Sequence, residues 1–347
     1  MVRESTSRGK TVIIFGAGAS HGARVPHSPP LGKDLLEYLD RYLQVIETNM
    51  PSNSSGLPFR EDQQLDRLRS LIEKGRRHGW THEQLIDNEV ASGNAYNEDL
   101  AVMNRLVIAA FAPPRTHWNP PIPRLDEAFS ERADIYDDFL SKLKDKGCTP
   151  PNVIFVTLNY DLLLEQAIHR LGGTYDYMLP GHARHQGFCL LKIHGSINWW
   201  GDMGSSGRLE EGKPIPAPLT LTSRGSVYKE IRIEGDPYEA CLSSGGGDPI
   251  LAHYGRGKPI FVNFPTLVEI RSRAIAECTA ATRALIIGVH PPSFRQEDET
   301  AWEVFAALRS RRAPTQYVGL SRDTEIVADR FQFEPISKTF KEFVRTW

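Results

Sequence analysis

The sequence predicts an α/β fold, a doubly wound, Rossmann-like and mainly parallel sheet with a helical insertion or small lobe. The main observation is that short apolar runs alternate with amphipathic segments along most of the chain. A second is that glycines and polar residues follow the apolar runs where these end, which is where parallel sheets bind ligands. With 347 residues, 40% of them hydrophobic and 24% charged, the chain has the composition of a globular protein with a core.

The predicted elements follow in order along the chain. Residues 11–15 form a continuous apolar run, typical of a parallel strand buried on both faces, and an amphipathic helix is predicted over 31–46. From about residue 47 to 134 the pattern is helical, and we interpret this stretch as an insertion into one domain that spans 1–347. Further strands are predicted over 153–158, 189–193, 218–222, 259–262, 284–289 and 316–320. Further helices are predicted over 135–146, 160–171, 267–280, 301–309 and 336–343.

Composition and charge exclude several classes of protein. Lys and Arg number 41 and Asp and Glu 43, and this net charge of −2 argues against direct nucleic-acid binding. No apolar run approaches the ~20 residues that span a bilayer, and the polar first ten residues lead into no signal-type segment. We therefore expect a cytoplasmic protein without a membrane association. The four cysteines are too scattered for a disulfide scaffold or a zinc site, so no metal is expected.

The first motif is Gly-Ala-Gly-Ala-Ser at residues 16–20, directly after the first strand. Glycines here let the backbone turn tightly and approach a pyrophosphate. The spacing differs from the dehydrogenase fingerprint, because His21 stands where G-x-G-x-x-G needs glycine. On these residues alone, a nucleotide site and a plain tight turn are equally open.

The second motif, Thr157-Leu158-Asn159-Tyr160-Asp161, lies where a buried strand ends and a helix begins. Polar residues at this end of a parallel strand lie where α/β sheets bind ligands. Asn and Asp are also good helix N-caps. One of them suffices for capping, so the pair leaves one residue to be explained.

Two later strands also end in notable residues. Lys192 and Ile193 lead into His194, whose imidazole can act as a general base near neutral pH. A histidine at such a place is more often a structural hydrogen-bonding group. The apolar run at 284–289 breaks at Gly288, which by itself indicates only a close approach of the backbone.

In this order, the four motifs resemble those of the sirtuin family, and more closely its zinc-free branch of bacterial NAD-consuming antiphage defence proteins. The resemblance runs from Val12 to about Leu320, with 47–134 unmatched. The sequence lacks the four-cysteine zinc module of sirtuin deacylases, and its glycine loop continues Ala-Arg-Val-Pro-His at 23–27 instead of Gly-Ile-Pro-x-Phe-Arg. The late strand continues Gly-Val-His at 288–290, where the defence branch commonly has Gly-Tyr-Ser.

The resemblance implies NAD+ as the substrate and a role for single residues. Asn159 would orient a water beside the nicotinamide ribose, Asp161 would hold the nicotinamide amide or the neighbouring loop, and His194 would take a proton from a ribose hydroxyl. The residues expected to contact the dinucleotide are Gly16, Ala17, Gly18, Ser20, Thr157, Asn159, Gly288 and, near the adenine, Ser321.

The implied reaction is the hydrolysis of NAD+ to nicotinamide and ADP-ribose by an NAD+ glycohydrolase without zinc. In the defence branch, such an enzyme depletes NAD+ during abortive infection and is held inactive until it is triggered. Control through a homo-oligomer, a partner ATPase or a nucleic-acid-sensing subunit is therefore expected. Two alternatives would use the same site. One is an NAD-dependent protein deacylase or ADP-ribosyltransferase, and the other is a non-catalytic sensor of NAD+ or ADP-ribose.

Overall fold

A computed structural model shows that the chain forms two compact units. The residues that the structure describes are 9–23, 32–49, 62–92, 103, 106–108, 111, 135–182, 186–202, 230–233, 249–251, 265–290, 299–311 and 313–347. The first unit comprises Met1–Arg24, Ala133–Ile193 and Val268–Trp347, and the second comprises Val25–Arg132 and His194–Leu267. The second unit thus takes in more than the expected insertion over 47–134. The strands predicted at 218–222 and 259–262 lie outside the described residues.

The elements have the following bounds. The strands are β1 Thr11–Phe15, β2 Val153–Thr157, β3 Tyr175–Asp176, β4 Phe188–Lys192, β5 Gly195–Asp202, β6 Glu230–Ile233, β7 Pro249–Leu251, β8 Arg283–Ile287, β9 Thr315–Gly319 and β10 Glu334–Ser337. The helices are α1 Ala17–Ala23, α2 Gly32–Asn49, α3 Asp62–Arg77, α4 His82–Ser92, α5 Ile135–Asp145, α6 Leu163–Arg170, α7 Pro265–Ala280, α8 Glu299–Arg311, α9 Ser321–Phe331 and α10 Phe340–Thr346. None of these helices is both long and apolar enough to cross a membrane.

The first unit is built on a seven-stranded sheet whose strand order is β10-β9-β8-β1-β2-β4-β3. Every pair of neighbours in it is parallel, which confirms the predicted doubly wound, Rossmann-like fold. Thr11 in β1 pairs with Val153 in β2 on one side and with Arg283 in β8 on the other. The chain first builds the β2 side of the sheet and later the β8 side. The order of strands therefore reverses between β1 and β8, and such a switch point is where open α/β sheets bind ligands.

The core of this unit centres on β1. Residues Val12 to Phe15 are fully buried, as the continuous apolar run predicts. The Phe15 ring lies 5.2 Å from the Tyr136 ring, 5.7 Å from the Phe139 ring and 6.0 Å from the Phe340 ring, measured between centroids. These aromatic contacts pack α5 and α10 against the central strand.

The second unit contains a three-stranded antiparallel sheet in the order β6-β5-β7. Helices α2, α3 and α4 pack against one another, and they bury Leu36, Ile72 and Leu85. An ion pair between Lys74 and Glu89 joins α3 to α4. Apart from the turn at 78–81, the described residues within 47–134 are helical, in agreement with the sequence pattern.

The prediction of a helix over 336–343 is correct only for its last part, 340–343. Glu334–Ser337 forms the edge strand β10, in which Ile336 pairs with Val318 of β9. The helix begins only at Phe340, where Thr339 and Glu342 form a capping box. The apolar spacing of Ile336, Phe340 and Phe343 suits a helix, but pairing with β9 decides the conformation of its first part.

Helix α9 is absent from the predicted elements although its sequence carries a helical pattern. Most of its residues are exposed, and its buried residues are Thr324, Val327 and Phe331. Their spacing of three and four residues is that of an amphipathic helix, so the prediction missed a signal that the sequence contains.

Candidate functional site

Three loops meet at one edge of the parallel sheet, beside the point where the strand order reverses. β1 leads directly into Gly16, β2 into Leu158 and Asn159, and β8 into Gly288. Because β1 is a parallel neighbour of both other strands, their carboxyl ends lie together. The first, second and fourth sequence motifs therefore belong to one place in the first unit.

The turn after β1 packs directly on the glycine after β8. The Gly16 N–H donates to the Ile287 carbonyl at 2.9 Å, and the Gly18 N–H donates to the Gly288 carbonyl at 2.8 Å. Gly288 has a φ of +64°, and a Cβ there would lie 2.2 Å from the Ala19 nitrogen. A Cβ on Gly16 would lie 2.6 Å from the Gly288 carbonyl oxygen. We call this arrangement of Gly16, Gly18 and Gly288 the glycine interlock, and it leaves no room for side chains.

Asn159 joins the second motif to the first. It is 8% exposed, and its Nδ2 donates to the Gly16 carbonyl at 3.0 Å and to the Ser20 hydroxyl at 2.8 Å. A carbonyl oxygen can only accept, so the side-chain nitrogen must face Gly16, and both amide hydrogens are used. Within the described part of the chain, the Asn159 Oδ1 accepts no hydrogen bond. This oxygen is the acceptor that remains for a ligand or a water.

The hydroxyls of Ser20 and Thr157 hold Asn159 in place. Ser20 Oγ, which is 2% exposed, accepts from Asn159 and lies 3.2 Å from the Tyr136 hydroxyl on α5. Thr157 Oγ1 accepts the Asn159 backbone N–H at 3.0 Å. Both residues were predicted to contact the dinucleotide, and the structure turns their hydroxyls towards Asn159.

Asp161 makes a local hydrogen bond. Its Oδ1 accepts from the Leu163 N–H at 3.0 Å, at the start of α6. The two polar residues of the second motif therefore have different roles. Asp161 supports the beginning of the helix, and Asn159 reaches the glycine interlock.

A buried ion pair lies beside the same loop. Lys192 Nζ is 2.8 Å from Glu165 Oε1, and the two side chains are 1% and 4% exposed. The same ammonium donates to the Asp161 carbonyl at 2.5 Å, and the Tyr177 hydroxyl donates to Glu165 at 3.0 Å. Each charge therefore has hydrogen-bond partners that offset the cost of its burial.

The residues expected near the adenosine lie on the β8 side of the switch point. The Tyr317 hydroxyl donates to the Val289 carbonyl and so holds the segment that follows the glycine interlock. Burial, and secondly the charge of Asp323, raise the pKa of Tyr317 far above its usual value, so the hydroxyl stays a donor. Ser321 follows β9, the second strand from β1, and its Oγ lies 2.6 Å from the Ser337 Oγ.

His194 lies between β4 and β5 and begins the second stretch of chain that belongs to the second unit. It is 4% exposed. The following Gly195 has a φ of +86°, and a Cβ on it would lie 2.0 Å from the Ile250 carbonyl oxygen. The His-Gly sequence therefore marks a turn that only glycine permits.

The structure brings most of the predicted site residues together. Those that meet around the glycine interlock are Gly16, Gly18, Ser20, Thr157, Asn159 and Gly288. Ala17 is exposed in the same turn. Ser321 follows the second strand from β1, and His194 belongs to the other unit.

Sequence reasoning missed two supporting residues, Tyr136 and Glu165. Tyr136 is linked to Ser20 across 116 positions, and nothing in its local pattern sets it apart from other buried helix residues. For Glu165, the sequence does contain an indication. A lysine at 192 ends an otherwise apolar strand, and a buried ammonium requires a counter-charge.

Metal ligands are not grouped within the described segments. There, no set of three or more His, Cys, Asp and Glu side chains could hold a metal ion. The expectation of a chain without zinc stays a prediction.

Comparisons with known proteins point to one family. Residues 153–222 match the family model of the SIR2-like domain. None of the curated proteins matches the chain. A solved structure concerned with the mechanism and regulation of Sir2 enzymes has 13% identity and a TM-score of 0.42, with coverage of 98% of this chain and 90% of that one.

Two further solved structures are similarly distant. One is a Sir2 enzyme in complex with an inhibitor, 2′-O-acetyl-ADP-ribose and a deacetylated peptide. It has 13% identity and a TM-score of 0.40, and the match covers 97% of this chain and 91% of that one. The other is a mutant of a Sir2 homologue in complex with ADP-ribose, with 13% identity, a TM-score of 0.39 and coverage of 98% and 90%.

The family match spans the second and third motifs, from the start of β2 through Asn159 and His194 into the second unit. It includes the residue that contacts the glycine interlock. The segment 153–222, about a fifth of the chain, is SIR2-like, as the resemblance of the motifs predicts.

Proposed function

We propose that this protein is an NAD+ glycohydrolase that cleaves NAD+ to nicotinamide and ADP-ribose. The observation that carries the proposal is the position of Asn159. Its amide nitrogen is fixed on Gly16 and Ser20, and its Oδ1 is left as an acceptor at the ligand-binding edge of the sheet. The SIR2-like match of this segment and the NAD-derived ligands of the Sir2 structures support NAD+ as the substrate.

The turn after β1 lies at the switch point of the sheet, where a dinucleotide is expected. Its glycines pack on the backbone after β8, and the N–H groups of Gly16 and Gly18 donate to the Ile287 and Gly288 carbonyls, so a pyrophosphate would lie against the surface of the turn and not on these two amides. We propose that Gly16, Ala17 and Gly18 bind the pyrophosphate, with the adenosine on the β8 side near Gly288 and Ser321. Ser20 and Thr157 then act by holding Asn159.

The reaction breaks the bond between C1′ of the ribose and the nicotinamide nitrogen. Nicotinamide leaves with the bonding electron pair as a neutral molecule, so its departure needs little acid catalysis and leaves an oxocarbenium-like ribose. Asn159 Oδ1 accepts a hydrogen bond from a water and so aims the water's lone pair at C1′. The water forms the new C1′–O bond and gives up one proton. We propose that His194 takes a proton from a ribose hydroxyl, that the water's proton replaces it there, and that His194 then releases its proton to the solvent.

The regulated role is proposed on the resemblance to the defence branch. There, depletion of NAD+ stops the infected cell, and an enzyme of this activity must be inactive until it is triggered. We propose control through self-assembly, a partner ATPase or a nucleic-acid-sensing subunit.

The proposal is tested by incubating the purified protein with NAD+ and measuring nicotinamide and ADP-ribose. Turnover without any acyl-peptide is expected, and it should be lost in Asn159→Ala and in His194→Ala. Asn152→Ala is a matched control, because Asn152 precedes β2 at the opposite end of the strand. Candidate triggers are added in parallel, since a gated enzyme is silent alone.

Three outcomes contradict the proposal in different ways. Nicotinamide release that requires an acyl-peptide points to the deacylase or transferase alternative. Binding of NAD+ without turnover under any trigger points to a sensor. Turnover that survives both substitutions means that the catalytic residues lie elsewhere.

A further inference from the structure

Lys192 carries a buried charge that the proposed reaction does not use. It is the last residue of β4 and is fully buried. Its ammonium lies 2.8 Å from Glu165 Oε1, 2.5 Å from the Asp161 carbonyl and 3.5 Å from the Tyr160 carbonyl. Its acceptors are therefore one carboxylate and the backbone of the two residues that directly follow Asn159.

Stability alone does not account for this lysine. A buried ion pair contributes little more than a well-packed apolar pair, and often less, because both charges lose their hydration. An apolar side chain would complete the strand Phe-Cys-Leu-Leu at 188–191 equally well. What an apolar side chain cannot do is donate hydrogen bonds to the carbonyls of Tyr160 and Asp161.

Several hydrogen bonds hold the loop after β2. Thr157 Oγ1 accepts the Asn159 N–H, the Asp161 carboxylate accepts the Leu163 N–H, and Lys192 holds the carbonyls between them. The first two contacts are local, within two residues of the loop. Among the long-range contacts, those of Leu158 and Asn159 tie the loop to Phe15, Gly16 and Ser20. The Lys192 contacts tie it to β4.

We propose that Lys192 is a positioning residue for Asn159. By fixing the carbonyls of Tyr160 and Asp161, it keeps the Asn159 amide on Gly16 and so keeps Oδ1 aimed at the reaction site. The catalytic part of this inference rests on the proposed NAD+ hydrolysis, whereas the structural part does not.

Glu165 and Tyr177 orient the ammonium group of Lys192. Glu165 lies in the first turn of α6 and is 3% exposed. The Tyr177 hydroxyl donates to the same carboxylate oxygen that Lys192 contacts. The carboxylate is thus fixed on one side by Tyr177 and directs Lys192 towards the loop.

The structural part is tested on the Asn159 side-chain amide. Nitrogen-15 labelling of asparagine gives side-chain NH2 signals, and the Asn159 pair is identified by its loss in Asn159→Ala. In Lys192→Met, we expect these hydrogens to exchange with water at least about tenfold faster, because local opening of the loop becomes more frequent. Lys142→Met is the matched control, since Lys142 also donates to two backbone carbonyls, those of Val344 and Arg345.

The catalytic part is tested on the same proteins by NAD+ turnover. Lys192→Met should lower kcat by about 100-fold while KM for NAD+ changes by less than about threefold, since a misplaced water affects the transition state more than binding. Because a smaller folded fraction would also lower the apparent kcat without changing KM, each kcat is calculated per folded protein, with the folded fraction taken from urea unfolding curves.

A second variant tests the proposal even if Lys192→Met does not fold. Lys192→Met leaves the Glu165 carboxylate buried without its counter-charge, whereas Lys192→Met/Glu165→Gln removes both charges. We expect the double variant to fold and still to show fast exchange of the Asn159 amide. Wild-type exchange in the double variant overturns the proposal. If the wild-type protein does not hydrolyse NAD+ under any trigger, the proposed function fails, and the amide exchange still decides the role of Lys192.

Discussion

The side-chain amide of Asn159 donates to the backbone carbonyl of Gly16 across 143 positions of sequence. The bond is possible because β1 and β2 are neighbours in register, with Phe15 paired to Thr157. The two strands then end at the same level, and the second residue after β2 reaches the first residue after β1. With the second bond of the same amide to Ser20, it connects the two motifs on which the proposed site depends.

Replacing Asn159 by alanine should lower the catalytic rate strongly and the stability of the fold moderately. The proposed water loses its acceptor, and we expect kcat to fall by about 100- to 1000-fold, as for other single preorganised polar groups. The lost hydrogen bonds to Gly16 and Ser20 should lower the free energy of unfolding by about 1–3 kcal/mol. Nicotinamide release and urea unfolding measure the two effects. A variant that is equally destabilised but still active contradicts the assigned role.

The glycine interlock predicts a large effect for Gly288→Ala. The new Cβ would lie 2.2 Å from the Ala19 nitrogen, in addition to the strain of a φ of +64°. Gly172→Ala is the matched control, because Gly172 has a φ of +69° and open space around the missing Cβ. The control should cost about 1–2 kcal/mol of unfolding free energy.

The comparison between the two alanine variants isolates the effect of the close contact. We expect Gly288→Ala to lower the unfolding free energy by more than the control and to lose NAD+ binding, whereas Gly172→Ala should still bind NAD+. Urea unfolding and calorimetric titration with NAD+ measure these quantities. Equal losses of stability in the two variants would show that the interlock is not tightly packed.

Phe340 should be a major contributor to the stability of the first unit. Its ring contacts those of Phe15, Tyr136 and Phe139, and it is 3% exposed. Phe340→Ala should therefore lower the free energy of unfolding by about 3–5 kcal/mol. The exposed neighbour Lys341 is the control, and Lys341→Ala should stay within about 0.5 kcal/mol of the wild type. Similar urea midpoints for the two variants would contradict this packing.

Stability should decrease at alkaline pH because of buried thiols. Burial raises the pKa of the Cys278 thiol from 9.0 to about 12 and that of Cys189 to about 11. The native state keeps these protons when the unfolded state has released them. The stabilising contribution is therefore complete below about pH 9 and is lost as the pH rises towards 11–12, by at most about 1.4 kcal/mol per pH unit for each thiol.

Cys278→Ala checks this dependence. The variant should be less stable than the wild type near neutral pH, because a buried side chain is shortened, but its stability should fall less between about pH 8 and about pH 10.5. Urea unfolding at the two pH values separates the packing effect from the ionisation effect. Parallel losses in both proteins would show that Cys278 ionises similarly in the native and unfolded states.

The sequence allowed the ligand-binding edge to be predicted because its parts are local. Apolar runs in the sequence predict β1, β2 and β8. Each run ends beside the residues that lie at the carboxyl edge of the sheet. The sequence also indicates that a helix start needs only one of Asn159 and Asp161. In the structure Asp161 supports the helix start, and Asn159 donates to Gly16.

The remaining features depend on contacts between distant parts of the chain. Tyr136 meets Ser20 only because α5 packs on β1, and Ile336 forms a strand only because β9 offers a partner edge. Lys192 belongs to one of the sequence motifs, but its ion pair depends on where α6 places Glu165. Local patterns carry no information of this kind.

The parallel pairing of β1 with β8 has a consequence for biosynthesis. Thr11 and its partner Arg283 are separated by 272 positions, so tens of seconds pass between their emergence from the ribosome at roughly 5–20 residues per second. During this time Gly16 and Gly18 have no Gly288 to pack on, and one side of β1 is unpaired. A growing chain therefore completes the glycine interlock late in translation, and prematurely terminated chains would lack it.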